Sequence, residues 1–103
     1  MTLLFKETAI EDILASQRYI DGPLHNSGAA KKLTRMIYDA AVLLCDNPYM
    51  GAPLNGKYEI GTDLRYLIVA KHLLFYRVSG DSVTATRVLD GRQDYMAILL
   101  SEL

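Results

Sequence analysis

The chain has few of the residues that most often build reactive or metal-binding sites. Its 103 residues include one cysteine, two histidines and no tryptophan. A single thiol, Cys45, excludes an internal disulfide. That one cysteine, with two histidines far apart in sequence, His25 and His72, offers no ligand spacing for a metal ion. We therefore expect neither a metal site nor a cofactor.

Long apolar runs and an excess of one charge are also missing. No stretch approaches the roughly 18 apolar residues of a membrane-spanning helix. The charged pair Lys6-Glu7 interrupts the region where a secretion signal needs an apolar core. Eleven Lys and Arg face twelve Asp and Glu, a balance that argues against a polycation evolved to bind nucleic acid tightly. The expectation is a cytoplasmic protein with no membrane partner.

What the sequence does contain is enough apolar material for one core. Half of the residues are hydrophobic. A chain of this length buries roughly two thirds of the surface that its unfolded form exposes. These numbers predict a single domain over residues 1–103.

The first half of the chain has the pattern of a helical hairpin that follows a short β-prone run at 2–6. Thr8 with Glu11 three residues later predicts a capping box at the start of the first helix. That helix is expected over 8–20 and the second over 27–45, before an Asp-Asn-Pro stop. The apolar positions at helical spacing in the first helix are Ile10, Ile13, Leu14, Gln17 and Ile20.

A second, lesser apolar stripe lies on the second helix, across the helix from Leu33, Ile37 and Leu44. It consists of Tyr38, Val42 and Cys45. Such a stripe is either a surface for a partner or a contact with the first helix, and the sequence leaves both open. Cys45 itself is expected to be a small buried hydrophobe.

The second half of the chain predicts a sheet. Residues 47–63 are expected to form an ordered loop, followed by strands at 65–69, 73–78 and 83–89 and a helix at 93–103. Short connections predict an antiparallel meander, and apolar residues on both faces predict a sheet covered on both sides. The fold class is therefore α+β: an N-terminal strand, an α-helical hairpin packed on an antiparallel β-sheet, and a short C-terminal helix.

This order of elements resembles the RelE/ParE toxins of type II toxin-antitoxin modules. The residues that carry the resemblance are Leu64-Arg65 at the start of the second strand, Tyr76-Arg77-Val78 before a Gly80-Asp81 hairpin, and Gly91-Arg92-Gln93-Asp94 after the last strand. The resemblance implies a growth-inhibiting toxin, as in plasmid stabilisation. It also implies an antitoxin that wraps over the helices and sheet, and we assign Tyr38 and Val42 to antitoxin binding.

Two mechanisms compete within that superfamily. RelE-like toxins are ribosome-dependent mRNA endoribonucleases, which need a general base, cationic groups and a general acid. Leu73 stands at the position that resembles their catalytic Arg, and the sequence pI near 6.0 disfavours ribosome binding. If the chain is a ribonuclease, the candidate catalytic residues are Arg65, Arg87, Arg92 and Tyr95.

ParE-like toxins poison DNA gyrase by protein contact. Arg65 and Arg92 match basic positions of the ParE pattern, although Asp90 replaces the His usually found before the glycine. We predict that Arg65, Arg92 and Asp94 contact the target. A third alternative is a degenerate, non-toxic module that only binds antitoxin.

Each charged candidate also has a plain structural interpretation. Arg65 is a candidate partner of Asp63 or Glu59. Arg92 and Asp94 are candidates to cap the last helix or to pair with each other.

Four other basic side chains also have an expected structural environment. Arg77 and Arg87 are expected to be neighbours across the hairpin, where an acid or a bound anion would separate their charges. Lys57 and Lys71 are expected to be solvated.

Overall fold

The computed structural model describes residues 1–58 and 61–102. The α+β fold is confirmed: a strand, two helices, a meander and a short final helix follow one another as predicted. The elements are β1 (Thr2–Phe5), α1 (Glu7–Asp21), α2 (Ser27–Asp46), β2 (Ala52–Pro53), α3 (Leu54–Tyr58), β3 (Arg65–Val69), β4 (His72–Ser79), β5 (Ser82–Asp90) and α4 (Tyr95–Leu100).

The start of α1 differs from the prediction. Lys6 occupies the capping position and makes no side-chain cap hydrogen bond, so the predicted capping box at Thr8 is wrong. The Thr8 hydroxyl instead donates to the backbone oxygen of Thr86, at 2.8 Å. Thr8 thus ties the first turn of α1 to β5 rather than to its own helix.

The second helix begins at a capped end and packs one face on the sheet. The side chain of Asn26 accepts a hydrogen bond from the Ala29 amide at 3.1 Å, which satisfies one of the free donors of the first turn. Buried positions then recur every three or four residues, as an amphipathic helix requires. They are Ala30, Leu33, Ile37, Ala41 and Leu44.

The five strands form one sheet in the order β1-β5-β4-β3-β2. The predicted antiparallel meander is present, and Ala70 and Lys71 make its first turn with φ of 49° and 67°, as a two-residue hairpin prefers. β1 joins β5 in parallel, because the helical hairpin carries the chain back across the sheet before β5. The sheet is therefore antiparallel except at this one pairing.

The segment predicted as an ordered loop contains two short elements. β2 pairs antiparallel with β3 at the sheet edge, and α3 follows directly. Glu59, one of the predicted partners of Arg65, lies outside the described residues.

Both faces of the sheet are covered, as the sequence predicts. On one face the helical hairpin packs Leu33, Ile37 and Leu44 against strand residues that include Leu74, Tyr76 and Val83. On the other face α3 and α4 complete a second cluster, which makes α4 a core element despite its short length. That cluster consists of Leu54, Leu64, Leu73, Phe75, Leu89 and Leu99.

Candidate functional site

Arg65 lies at the first position of β3 and holds the turn that precedes β2. Its Nη2 atom donates to the backbone oxygens of Gly51, at 2.5 Å, and Tyr49, at 3.3 Å. The guanidinium carbon stands 5.1 Å from the centre of the Tyr49 ring, a cation–π geometry. Asp63, the predicted partner within the described residues, instead pairs with Arg77 at 2.7 Å. The prediction of an Arg65–Asp63 pair is therefore wrong.

A buried tyrosine fixes the same turn from the core side. The hydroxyl of Tyr76 donates to Pro48 O at 2.8 Å and accepts from Gly51 N at 3.0 Å. A Cβ added to Gly51 would lie 2.5 Å from the backbone oxygen of Tyr66, so only glycine fits there. The turn is held from both sides, and Tyr49 on it is 69% exposed. We call Tyr49, Met50 and Arg65 the Tyr49 corner.

Arg92 forms a second exposed basic position, in the turn after β5. Its Nε and Nη2 atoms donate to the carboxylate of Asp90, at 3.1 and 2.9 Å, and its amide donates to the same group at 2.8 Å. The Arg92 side chain is 83% exposed. The prediction that Arg92 pairs with Asp94 is therefore wrong, because Asp90 is its partner.

The two aspartates of this turn have different tasks. Hydrogen bonding from Arg92 lowers the pKa of Asp90 to about 2, against a smaller opposing effect of burial. The same pair raises the pKa of Arg92. Asp94 caps α4 by accepting from Ala97 N at 3.3 Å, which confirms the capping interpretation of that residue. Both ends of the turn are thereby fixed.

Arg87 is engaged inside the molecule. Its Nε and Nη2 atoms each donate to Asp12 at 2.8 Å, and Asp12 also accepts from Val88 N at 2.9 Å. Glu102 binds the remaining guanidinium nitrogen. The hydrogen bond to Asp12, first among several causes, raises the pKa of Arg87. Arg87 thus joins α1, β5 and the residues after α4.

Arg77 and Arg87 are not the cross-strand neighbours that the sequence predicts. Arg77 faces Thr84 because the turn pairs Ser79 with Ser82. A bulge at Phe75 and Tyr76 then places Arg87 opposite Phe75. Each arginine has its own carboxylate partner. The structure therefore gives no support to an anion held between them.

The candidate ribonuclease residues have separate environments. Arg65 binds backbone oxygens, while Arg87 and Arg92 bind different aspartates. Tyr95 packs on Phe75 with ring centres 5.9 Å apart, and Leu73 is buried beneath α4. The described residues bring no two of these arginines to a shared partner.

Tyr38 and Val42 lie on an exposed face of the hairpin. Tyr38 is 54% exposed and stacks on Phe5, with ring centres 6.5 Å apart and planes at 9°. Ile10 and Leu14 of α1 are also exposed, although their spacing predicted a place in the apolar face of that helix. A bond of 2.5 Å from Gln17 Nε2 to Thr34 Oγ1 joins the two helices.

Helical spacing then places the exposed apolar residues side by side. For two antiparallel helices joined at Gln17 and Thr34, helical spacing is expected to set Leu14 level with Tyr38 and Ile10 level with Val42. Sequence reasoning identified only the α2 half of this surface. The period of α1 alone could not separate its buried stripe from the adjacent exposed one.

A cavity of about 560 Å³ lies between α1 and the end of β5. Apolar side chains that include Ile20, Leu24 and Val88 form much of its wall, and His72 and Arg92 also line it. The imidazole of His72 is held by its Nδ1 atom, 3.1 Å from the backbone oxygen of Ala70. Arg92 therefore borders a hollow as well as projecting into solvent.

The structure also shows the environment of Cys45 and bears on metal-binding clusters and membrane-spanning helices. Cys45 is half-buried, and its thiol lies 3.9 Å from the backbone oxygen of Ala41. No three His, Cys, Asp or Glu side chains within 1–58 and 61–102 cluster closely enough to hold a metal ion. Over the same residues, no helix combines the length and apolarity needed to cross a bilayer.

Comparison with known proteins relates these features to a family. The chain has the same fold as a solved structure described as the chromosomal ParDE TA system from P. aeruginosa, with a TM-score of 0.71 and 21% identity over 87% of this chain and 95% of that one. None of the curated proteins matches the sequence significantly. The family model of the ParE toxin of the type II toxin-antitoxin system parDE matches residues 3–95. The chain therefore belongs to the ParE toxin family, within the RelE/ParE superfamily.

Proposed function

We propose that this toxin inhibits growth by poisoning DNA gyrase through protein contact, and that its cognate antitoxin holds it inactive. The observation that carries the proposal is the match to the ParE toxin family over residues 3–95. The geometry agrees with contact rather than catalysis, because Arg87 is engaged by two carboxylates and Leu73 is buried. Gyrase acts in the cytoplasm, where we place the toxin.

The surfaces proposed to touch gyrase are the Tyr49 corner and the turn around Arg92. Arginine and tyrosine dominate the energetic centres of protein interfaces. Arg65 and Tyr49 are prearranged by backbone hydrogen bonds and stacking, so little side-chain freedom remains to be lost on binding. Asp94 contributes by capping α4 and thereby holding the turn that presents Arg92.

We propose that the antitoxin covers Tyr38 and Val42. Both side chains are exposed, as are Ile10 and Leu14 of α1, and helical spacing sets the two pairs at the same levels of the hairpin. A contiguous apolar surface of this kind marks an interaction site in a small protein. Of the two alternatives that the sequence leaves open for this stripe, the proposal takes the surface for a partner rather than the contact with the first helix.

The test uses the purified chain with purified gyrase, and a cell-free translation reaction in parallel. We expect inhibited supercoiling and accumulated cleaved DNA, while translation continues. Arg92→Ala and Arg65→Ala are expected to need about tenfold more toxin for the same effect, the loss of a typical interface arginine. Lys32→Ala is the matched control, because Lys32 is an exposed cation on α2.

Two other outcomes would overturn the gyrase proposal. Cut mRNA and failed translation with active gyrase would assign the chain to ribosome-dependent endoribonucleases. Activity of both systems at saturating toxin would indicate a module that only binds antitoxin.

A further inference from the structure

The cavity of about 560 Å³ between α1 and the end of β5 is large enough for a small molecule. Ligand pockets commonly enclose roughly 300–1,000 Å³, and a dry cavity of about 150 Å³ already holds benzene. His72 and Asp90, which are paired across β4 and β5, line it from the sheet. Tyr19 of α1 and Leu24, which follows α1, line it as well. We call this cavity the α1–β5 hollow.

The charged side chains of the α1–β5 hollow already have partners. Asp12 accepts from Arg87 and from Val88 N, and Asp90 accepts from Arg92. Neither carboxylate is left free to pair with a cation. Among the described residues Arg92 is the one Lys or Arg that lines the hollow, against two carboxylates, so the local charge does not attract an anion. The α1–β5 hollow therefore favours a neutral ligand.

His72 brings an unused hydrogen-bond acceptor to the wall of the hollow. His72 is 8% exposed, and its Nδ1 atom lies 3.1 Å from the backbone oxygen of Ala70. Because a carbonyl oxygen only accepts, Nδ1 carries the proton, and Nε2 of the neutral ring is left as an acceptor. Among the described residues no group donates to Nε2, and it is not one of their fully buried unpartnered atoms. It is therefore accessible from the hollow that the ring lines.

We infer that the α1–β5 hollow binds a neutral aromatic group that carries a hydrogen-bond donor, such as a phenol or an indole, and that His72 Nε2 accepts from this donor. Apolar side chains that include Ile20 and Val88 cover the body of the ring. Tyr19 and Arg92 are planar groups on which an aromatic ring stacks. The donor of the ligand gives the half-hidden Nε2 the partner that a buried acceptor needs. This inference does not depend on gyrase as the target.

The test is a two-dimensional amide NMR titration of the purified toxin with 4-methylphenol and with 4-methylanisole. The two compounds share a ring, but the second has a methoxy group in place of the hydroxyl donor. We expect 4-methylphenol to bind with a dissociation constant below about 1 mM and to shift the signals of Leu24, Val88 and Gln93, which line the hollow. The loss of one hydrogen bond is expected to make 4-methylanisole about fivefold weaker.

Two variants separate the acceptor from the cavity. His72→Asn keeps a donor near the place of Nδ1 and has no atom at the place of Nε2, so both compounds are expected to bind it with equal affinity. Ser16→Phe fills the hollow from α1 and is expected to abolish binding of both. Ser79→Phe makes the same change at an exposed serine outside the hollow and is expected to bind both compounds as the wild type does.

Three results would refute the inference. Equal affinities of wild-type toxin for the two compounds would exclude the hydrogen bond to His72. Saturable shifts centred on other residues would place the aromatic group elsewhere. The absence of saturable shifts would exclude the site itself, whether or not His72→Asn folds.

The gyrase assay then identifies the source of the aromatic group. If Ser16→Phe requires at least about tenfold more toxin than Ser79→Phe, the group is a Tyr or Trp side chain of gyrase, the typical anchor of an interface. If the two variants act alike, the group belongs to a free aromatic molecule. Wild-type toxin without any effect on gyrase removes the proposed function and leaves the NMR result, and hence this inference, as it stands.

Discussion

At the scale of single residues, a buried tyrosine hydroxyl and an arginine together hold the turn before β2. Tyr76 has no exposed surface, yet its hydroxyl is fully used by Pro48 and Gly51. Arg65 binds the same turn from outside. The exposed Tyr49 ring therefore sits on a rigid support rather than on a mobile loop.

Tyr76→Phe tests that support. The change leaves the buried amide of Gly51 without its partner and is expected to lower the free energy of unfolding by about 1–3 kcal/mol. Urea denaturation followed by circular dichroism measures it. Tyr19→Phe, at an exposed tyrosine, serves as the control and is expected to change stability by less than about 0.5 kcal/mol. Equal stability of both variants would contradict the role of the hydroxyl.

Asp90 gives the turn after β5 a defined dependence on pH. Its pKa is lowered from 3.8 to about 2, so its contribution to stability is complete above pH 3.8 and is lost as the pH falls through 2. Asp90→Asn is expected to cost at most about 1 kcal/mol at neutral pH, because Arg92 is exposed. The variant should also lose part of the decline in stability between these two pH values.

Acid titrations of unfolding, run on both proteins, check this prediction. Asp39→Asn, an exposed position on α2, is expected to keep the wild-type profile. If Asp90→Asn kept that profile as well, the Asp90–Arg92 pair would contribute nothing to folding.

At the scale of elements, polar side chains lock α1 onto the outer part of β5. Thr8 and Asp12 bind β5 backbone groups at Thr86 and Val88. β1 covers the neighbouring edge of β5 only as far as Ala85. The α1 side chains thus satisfy a strand edge that would otherwise offer free backbone groups for pairing.

Asp12→Ala removes the carboxylate that joins α1 to β5. It leaves Arg87 with one carboxylate and Val88 N without its acceptor, so we expect a loss of roughly 2–4 kcal/mol in unfolding free energy. Glu11→Ala, one position away and exposed, is the matched control, with an expected loss below about 0.5 kcal/mol. Thermal and urea unfolding of the two variants compare them directly, and indistinguishable midpoints would argue against the lock.

The sequence predicts the helices and strands better than it predicts the contacts between them. Hydrophobic period and turn residues are local signals, and they placed the hairpin and the three meander strands within a few residues of their observed bounds. The partner of Thr8 lies 78 residues away and that of Arg87 lies 75 residues away, so no local pattern predicts them. The sequence identifies the candidate arginines, but the contacts of Arg65 with the Tyr49 and Gly51 carbonyl oxygens exist only once the turn before β2 has folded.

At the scale of the whole molecule, the arginines have two kinds of role, in the fold and on the surface. Arg87 links α1 to β5 from a mostly buried position, whereas Arg77 pairs with the exposed Asp63 at the surface. Arg92 and Tyr49 face solvent on turns that hydrogen bonds hold. The exposed apolar residues Tyr38 and Val42 lie on another surface, the helical hairpin. On this account, gyrase and antitoxin contact different parts of one rigid toxin.

The most direct test of the central claim is the amount of cleaved DNA that purified gyrase accumulates with increasing toxin. The account predicts a dose-dependent rise in cleaved DNA that Arg92→Ala shifts to about tenfold higher toxin and that Lys32→Ala leaves in place. Supercoiling and religation that continue unchanged at saturating wild-type toxin would contradict it.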